Sequence, residues 1–427
     1  MNIALRTAVL LILVLPVLSA GAVQAQVFEV GHRSETFVDP ARGNRSIPVE
    51  VYYPADAAGE NVPLASSGAP FPVVVVGHGY QLSWSLYGYL RDALVPRGYV
   101  VALVDTENGL FPSHGDFGLD LAFTVNGLRD AGATPGSPYE GGIADAAAVL
   151  GHSMGGGAAL LAAAGDPTIT AVAALAPADT NPSAIDAAAA IQAPALIFAG
   201  ELDCVTPPPD HQLPMYANLG SACRTLVTVL GASHCQFAAY SFTCSLGEVF
   251  CESPDVSRAA QQAAVTDHLV LWLDWSLRGG PGAWSAWQAL LAGDGRVVFE
   301  QDCLAPSQPA VSITCVPESG ALPLPVQFTV GLGHDAAETR RVAARVGVVL
   351  AGGAQFPVWR AGFSNIAAGE SFTLSWVQQI PALGSCLGDN VFTLTAEDVT
   401  PPPFNQPPYP PAGGTESAAC TVTGLQP

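Results

Sequence analysis

Residues 146–157 read Ala-Ala-Ala-Val-Leu-Gly-His-Ser-Met-Gly-Gly-Gly. An apolar strand, Ala146 to Leu150, runs straight into Gly151-His152-Ser153-Met154-Gly155, and an Ala/Leu-rich helix follows from Met154 to Ala164. A serine caught between strand and helix sits on a sharp turn, and the small residues at Gly151 and Gly155–Gly157 let that turn form. Its backbone is expected in a strained conformation at the strand tip. The helix N-terminus then directs its positive end at developing negative charge. The pattern predicts Ser153 as a nucleophile.

Around this turn, β-branched runs alternate with helical patterns from about Val27 to Cys303. Strands are expected at Ile47–Tyr52, Val73–Val76, Tyr99–Val104, Thr170–Leu175, Ala195–Phe198 and Thr225–Leu230. Helices are expected at Leu86–Val95, Phe117–Arg129 and Val256–Leu277, the last closing the unit. Such alternation predicts a mostly parallel, doubly wound α/β sheet.

A serine hydroxyl needs a base, and the base needs an orienting carboxylate. In elbow enzymes these follow in the order Ser, Asp/Glu, His, each after a later strand. Asp203 lies one loop beyond Ala195–Phe198, within Gly200-Glu201-Leu202-Asp203, and His234 ends Gly231-Ala232-Ser233-His234 after Thr225–Leu230. Both fall at C-terminal strand ends, where such sheets place their sites. Glu201 is the reserve carboxylate, and Asp179 and Asp210 follow no comparable strand end. His152 is expected to pack or hydrogen-bond beside the nucleophile. His211 and His268 fall in helical patterns, and His32, His114 and His334 have loop or surface roles by default. An oxyanion hole needs two backbone N–H groups. Met154 supplies one, and Tyr80, in Gly77-His78-Gly79-Tyr80 after Val73–Val76, is chosen for the other. Its ring is expected to wall the acyl pocket.

The first 25 residues carry Arg6, an apolar run Ala8–Leu18 and Val23-Gln24-Ala25, the pattern of a Sec-type signal peptide with export to the periplasm or medium. The mature chain is expected to be soluble and monomeric. Nine cysteines in an exported chain point to disulfides, with an odd thiol left over. Cys204 directly follows the candidate acid and Cys235 the candidate base, so bridges there would brace both loops. The six cysteines up to Cys303 allow 15 pairings and the choice stays open; Cys315, Cys386 and Cys420 could supply one bridge with one thiol left over, or Cys303 could join them across the linker. No CxxC pair occurs, which disfavours zinc. The net charge is −21 and all 15 basic residues are Arg, which leaves no footprint for nucleic acid or anionic lipid. After Cys303 the character changes. Residues 304–309 read as a linker, and short strands at Val311–Cys315, Val326–Val330, Ala344–Leu350, Ser371–Val377, Val391–Ala396 and Ala419–Thr423 suggest an immunoglobulin- or fibronectin-like β-sandwich over 310–427. The Pro-rich tract Thr400–Pro411 would be a loop of it, and Trp359 and Trp376 are expected in its core.

Gly151-His152-Ser153-Met154-Gly155-Gly156-Gly157 resembles the elbow of bacterial cutinases and polyester hydrolases of the PETase type. Leu202-Asp203-Cys204-Val205-Thr206-Pro207, followed by Pro214-Met215-Tyr216, is similar to that family's acid loop and next helix. Gly231-Ala232-Ser233-His234 is similar to its histidine loop, and Gly79-Tyr80 to its aromatic oxyanion position. The resemblance runs from Pro70 to Cys303 and implies an α/β-hydrolase domain over 26–303, cleaving carboxylic esters without a cofactor. Chlorophyllases and platelet-activating-factor acetylhydrolase-like enzymes share this plan, so lipid-like and pigment esters stand beside polyesters as substrates. One departure is Leu175-Ala176-Pro177-Ala178, where the polyester hydrolases carry Trp at the place of Ala178. Its absence removes a stacking surface for aromatic polyesters but leaves ester hydrolysis untouched. The alternatives are a non-catalytic binding or adhesion protein on this fold and a serine peptidase. A complete, ordered Ser-Asp-His set argues against the first, and the lack of a propeller or lid domain against the second.

Overall fold

Val73-Val74-Val75-Val76 and Val100-Val101-Ala102-Leu103-Val104 have no polar face, so strands built from them must be covered on both sides. In the computed structural model they lie inside a ten-stranded sheet. The structure describes residues 27–279 and 281–303 throughout and, beyond them, chiefly the backbone of nine strands between residues 309 and 425. The expected signal peptide, most of the linker and the Pro-rich tract lie outside the described residues.

The sheet contains β1 (Glu29–Asp39), β2 (Arg45–Ala55), β3 (Gly59–Glu60), β4 (Phe71–Gly77), β5 (Val100–Val104), β6 (Ile143–His152), β7 (Ala171–Leu175), β8 (Ala195–Gly200), β9 (Cys223–Val229) and β10 (Val297–Cys303). Their order is β10-β9-β8-β7-β6-β4-β5-β2-β1-β3. From β9 through β5 every neighbour is parallel, whereas β2, β1 and β10 add antiparallel edges. The helices are α1 (Gly88–Leu94), α2 (His114–Ala133), α3 (Met154–Gly165), α4 (Ala184–Ala188), α5 (Gln212–Asn218), α6 (Phe242–Gly247), α7 (Arg258–Arg278) and α8 (Pro281–Gly293). Among the described residues none is long and apolar enough to cross a membrane.

The two cores divide along the strands. Val73 and Val75 face Phe117, Leu121 and Val125 of α2 and Ala158 of α3, while Val74 and Val76 face Leu90 of α1 and Trp272 of α7. Alternate side chains of one apolar strand therefore serve opposite helix layers. The chain reverses direction across the sheet at β4, which takes β5 on one side and β6 on the other. The crevice at the C-terminal ends of β4 and β6 is the switch point at which such sheets bind ligands.

Three sequence expectations need correction. The stretch Leu86–Val95 is not one helix: a 3-10 turn (Trp84–Tyr87) precedes α1 and another (Val95–Arg97) follows it, the second containing Pro96. Helix α7 does not close the unit, because α8 and β10 follow. Cys303, at the end of β10, pairs with Cys223 at the start of β9, which excludes a bridge from Cys303 across the linker. Beyond Cys303 the six expected strands correspond to β11 (Pro309–Val316), β13 (Leu324–His334), β14 (Arg340–Val349), β17 (Ser371–Ile380), β18 (Gly388–Asp398) and β19 (Thr415–Leu425). Three more join them: β12 (Ser319–Ala321), β15 (Gln355–Arg360) and β16 (Ser364–Ile366). The order β11-β13-β17 makes a three-stranded sheet and β12-β19-β18-β14-β15 the path of a six-stranded one, with β16 paired to β14. Cys315 is disulfide-bonded.

Helix α3 begins so close to the end of β4 that a Cβ on Gly155 would overlap the carbonyl groups of Gly77 and His78. Gly155→Ala should therefore lower stability by about 1–3 kcal/mol or more, as overpacking against rigid backbone does. Gly165, at the other end of α3, has nothing within 4 Å of that position. Gly165→Ala should raise stability by about 0.5–1 kcal/mol. Urea-unfolding midpoints of the two variants should move in opposite directions.

Candidate active site

Ser153 follows β6 directly and occupies the N-cap position of α3 at φ 56° and ψ −119°, a left-handed conformation rare for a side-chain-bearing residue. Its side chain makes no capping bond, so the hydroxyl is not consumed by the helix end. Backbone bonds hold the turn instead. Ser153 N–H donates to Leu175 O, and Ala178 and Gly157 N–H both donate to Ser153 O, within 3.0–3.1 Å. Gln81, Glu107 and Ala176 also have positive φ, and they follow the C-terminal ends of β4, β5 and β7. Strained non-glycine residues thus gather along one edge of the sheet, as they do at functional sites.

The loop after β8 brings Asp203 to the same edge, and the loop after β9 brings His234. His234 Nδ1 lies 2.7 Å from Asp203 Oδ2. A carboxylate only accepts, so Nδ1 carries the proton of this bond. Asp203 Oδ1 accepts N–H bonds from Val205 at 2.9 Å and Thr206 at 2.8 Å. The Thr206 hydroxyl stands 2.9 Å from Asp203 Oδ2 and 3.0 Å from His234 Nδ1. Both carboxylate oxygens are thereby saturated, and the carboxylate is locked in one orientation. Ser153, Asp203 and His234 are all buried. Among the described residues no hydrogen bond joins Ser153 Oγ to the imidazole, a contact that in free enzymes is often long and tightens around substrate.

Three further groups hold His234. Gln261 of α7 grips the peptide before it, accepting from Ser233 N–H at 3.1 Å and donating to Ser233 O at 2.8 Å. Glu248 accepts from Cys235 N–H at 2.7 Å on the other side. His152 contacts the His234 carbonyl through Nε2 at 3.2 Å, while its Nδ1 lies 2.9 Å from Tyr87 Oη. The carbonyl can only accept, so Nε2 bears the His152 proton, Tyr87 donates to Nδ1, and Gly79 N–H donates to the Tyr87 oxygen at 2.9 Å. Burial, with the neighbouring His234 adding to it, holds the His152 imidazole well below its ordinary pKa, which keeps it neutral. One directed chain of bonds therefore links the loop after β4 to the histidine loop.

Tyr80 lies in the loop after β4, and Met154 opens α3 directly after Ser153. Tyr80 N–H finds no acceptor among the described residues, and Met154 N–H, in the first turn of α3, has no intrahelical partner. The Tyr80 ring is half exposed, with its hydroxyl donating to Leu110 O at 2.9 Å. Ala178, tied to Ser153 through its backbone, offers only a methyl group. The other carboxylates and imidazoles weighed in the sequence are engaged by other partners or exposed. Glu201 accepts from Gly231 N–H, Asp179 from Ser183 Oγ and Ile185 N–H, and Asp210 is exposed. His32 pairs with Glu50, His268 with Asp294, and His114 and His211 accept from the backbone of Asn181 and Asp179. His334 lies in β13 with its side chain outside the described residues. Bridges Cys204–Cys251 and Cys235–Cys244 start from the residues after Asp203 and His234. Among the described residues no group of three or more His, Cys, Asp or Glu could hold a metal.

Tyr87, Thr206 and Gln261 are the supporting residues that sequence reading missed. Asp-x-x-Thr is a turn-capping pattern that could have drawn attention to Thr206. Tyr87 and Gln261 carry no local signal.

The family described as PET hydrolase-like matches residues 33–250, just over half of the 427-residue chain, from β1 through α6. No curated protein matches the chain.

Tyr87→Phe should leave Gly79 N–H and His152 Nδ1 unpaired and lower kcat/KM for a soluble ester by roughly ten- to hundredfold through misplacement. A circular dichroism spectrum unchanged from the parent would accompany that loss. Burial also lowers the His268 pKa, against the opposing pull of Asp294. A histidine with a depressed folded pKa gives stability that is full above 6.5 and falls as pH drops through that value. The unfolding free energy should decline between pH 7.5 and 5.5, by at most about 1.4 kcal/mol per pH unit for each histidine. His268→Gln should flatten that slope in urea titrations.

Proposed function

The chain belongs to the PET hydrolase-like family, and on that premise we propose that it is a secreted carboxylic-ester hydrolase working through Ser153, His234 and Asp203. The observation that carries the reading is the convergence at the β4/β6 switch point. A serine with no capping bond, an imidazole bonded to a carboxylate, and two N–H groups without an acceptor among the described residues all belong to segments at the C-terminal ends of β4, β6, β8 and β9.

His234 Nε2 takes the Ser153 proton as Oγ attacks the ester carbonyl. The oxyanion is held by Tyr80 and Met154 N–H, and the N-terminal end of α3 adds to that field. The imidazolium, stabilised by Asp203, returns the proton to the leaving alcohol. Water then enters by the same base and hydrolyses the acyl-enzyme. No cofactor takes part.

With only Ala178 at the aromatic position, aliphatic and lipid-like esters fit the crevice better than aromatic polyesters. The three disulfides between described residues, together with the bonded Cys315, support an oxidising compartment, in keeping with the Sec-type leader read over residues 1–25. Residues 26–303 form the catalytic domain in this reading, 304–309 the linker, and 310–427 a β-sandwich made from the two smaller sheets.

Ser153→Ala should cut p-nitrophenyl ester turnover on the order of a million-fold, leaving only the residual effect of the oxyanion donors. A fluorophosphonate probe should label the parent and spare this variant. Undiminished turnover, or labelling that does not depend on Ser153, would refute the assignment.

A further inference from the structure

Thr206 is buried, and its hydroxyl stands among three partners on the loops after β8, β9 and β7. Asp203 Oδ2 lies 2.9 Å away, His234 Nδ1 3.0 Å and Ala176 O 3.2 Å. The position of Ala176 gives the third contact its weight. Its neighbour Leu175 accepts the Ser153 N–H through its carbonyl, and Ala178, two residues on, donates to Ser153 O. Ala176 therefore sits between the two backbone anchors of Ser153, in a left-handed conformation at φ 42°. The segment after Asp203 grips this loop twice more. Gln212 Nε2 donates to Pro177 O at 2.7 Å, and His211 Nδ1 accepts from Asp179 N–H at 2.9 Å. Of these three side chains, Thr206 is the one that also meets both Asp203 and His234.

A hydroxyl has one proton to give and two lone pairs to offer. Asp203 Oδ2 and Ala176 O only accept, so the Thr206 proton serves one of them at a time. His234 Nδ1 carries its own proton toward Asp203, so Thr206 Oγ can only accept from the ring. The two settings of the hydroxyl leave the ring differently placed. With O–H on Asp203, Thr206 competes with Nδ1–H for the same carboxylate oxygen. With O–H on Ala176 O, Asp203 Oδ2 and Thr206 Oγ are both left to accept from Nδ1–H. The second setting suits a charged ring, because hydrogen bonds from an ionised donor are roughly twice as strong as neutral ones. We propose that Thr206 is a positioning residue of the Ser153, His234 and Asp203 set. Its hydroxyl turns from Asp203 to Ala176 O as His234 becomes an imidazolium, and it ties the acid and base to the loop that holds Ser153. The O–H bond rotates and no proton leaves Thr206. The proposal rests on the ester-hydrolase reading and adds a fourth side chain to it.

Thr206→Val removes the hydroxyl at nearly constant shape, and Thr206→Ser keeps the hydroxyl and removes the methyl group. On p-nitrophenyl acetate, Thr206→Val should lower kcat roughly ten- to hundredfold with KM within about twofold of the parent, the pattern of an interaction made in the transition state. Thr206→Ser should recover most of that loss. If Thr206→Val does not fold, Thr206→Ala takes its place, since it sets no methyl group against the carboxylate. A variant without the hydroxyl that matches the parent overturns the proposal. A loss carried by KM also overturns it, because the hydroxyl would then shape the binding surface. Thr206→Ser as impaired as Thr206→Val overturns it too, since packing of the methyl group would be the cause. The contact itself is read without turnover, from the His234 Nδ1 proton resonance of protein labelled with nitrogen-15 histidine. That resonance should shift in Thr206→Val and return toward the parent position in Thr206→Ser; an unmoved resonance overturns the proposal. A chain that shows the shift, yet hydrolyses no ester and leaves Ser153 unlabelled by a fluorophosphonate, would refute the functional reading and leave the Thr206 contact standing.

Discussion

The contact on which the site depends is backbone against backbone: the first turn of α3 lies against the end of β4 with no side chain between them. A Cβ at Gly155 would enter the carbonyl groups of Gly77 and His78, and one at Gly151 would enter the carbonyl of Gly155. This proximity brings the turn after β6 and the loop after β4 side by side. Without it, Ser153 and Tyr80 would belong to separate surfaces. Gly151 and Gly155 are needed because nothing larger than hydrogen fits, and the left-handed backbone of Ser153 follows from the turn they allow.

Around that contact the positioning is polar and directional. Gly79, Tyr87, His152 and His234 form a chain in which each donor has one acceptor. Reversing a single proton would leave a carbonyl facing a lone pair, so the chain holds its members in one arrangement. It succeeds because His152 is buried and neutral; a charged imidazole would have to donate from both nitrogens and would break the link to Tyr87. On the far side of His234, Gln261 and Glu248 fix the peptide units before and after it, and Asp203 fixes its ring. The imidazole is constrained from both backbone and side-chain ends.

What could be read from the sequence was what depends on local pattern. Apolar strands buried on both faces, such as Val73–Val76, have no alternative to a covered parallel sheet, and a Gly-flanked serine between strand and helix has few alternatives to an elbow. Asp203 and His234 were legible because their strands end just before them. Less visible were elements whose partners lie far along the chain. Strand β10 exposes most of its residues and is held by pairing with β9 and the Cys223–Cys303 bridge. Strand β1 alternates polar and charged residues along an edge, without a strong apolar signature. Tyr87 looked like one more aromatic in a helical stretch, because its two partners arrive from residues 79 and 152. Disulfide pairing was open for the same reason: spacing does not say which loops meet.

The disulfides resolve a difficulty that the fold creates for itself. Asp203 and His234 must sit on loops beyond the sheet, since the crevice lies outside the strand ends. Loops there have little core to pack against, and in the proposed mechanism a base displaced by about an ångström would lose much of its effect. Packing the loops under a larger cap would hold them still but would bury the crevice. In this chain Cys204–Cys251 and Cys235–Cys244 tie both loops to the same short excursion, so each restrains the other through residues 244–251. Covalent bonds do the restraining, which frees the excursion from any need to bury its own side chains. That is why α6 can turn Phe242 and Leu246 outward and still be a fixed part of the structure.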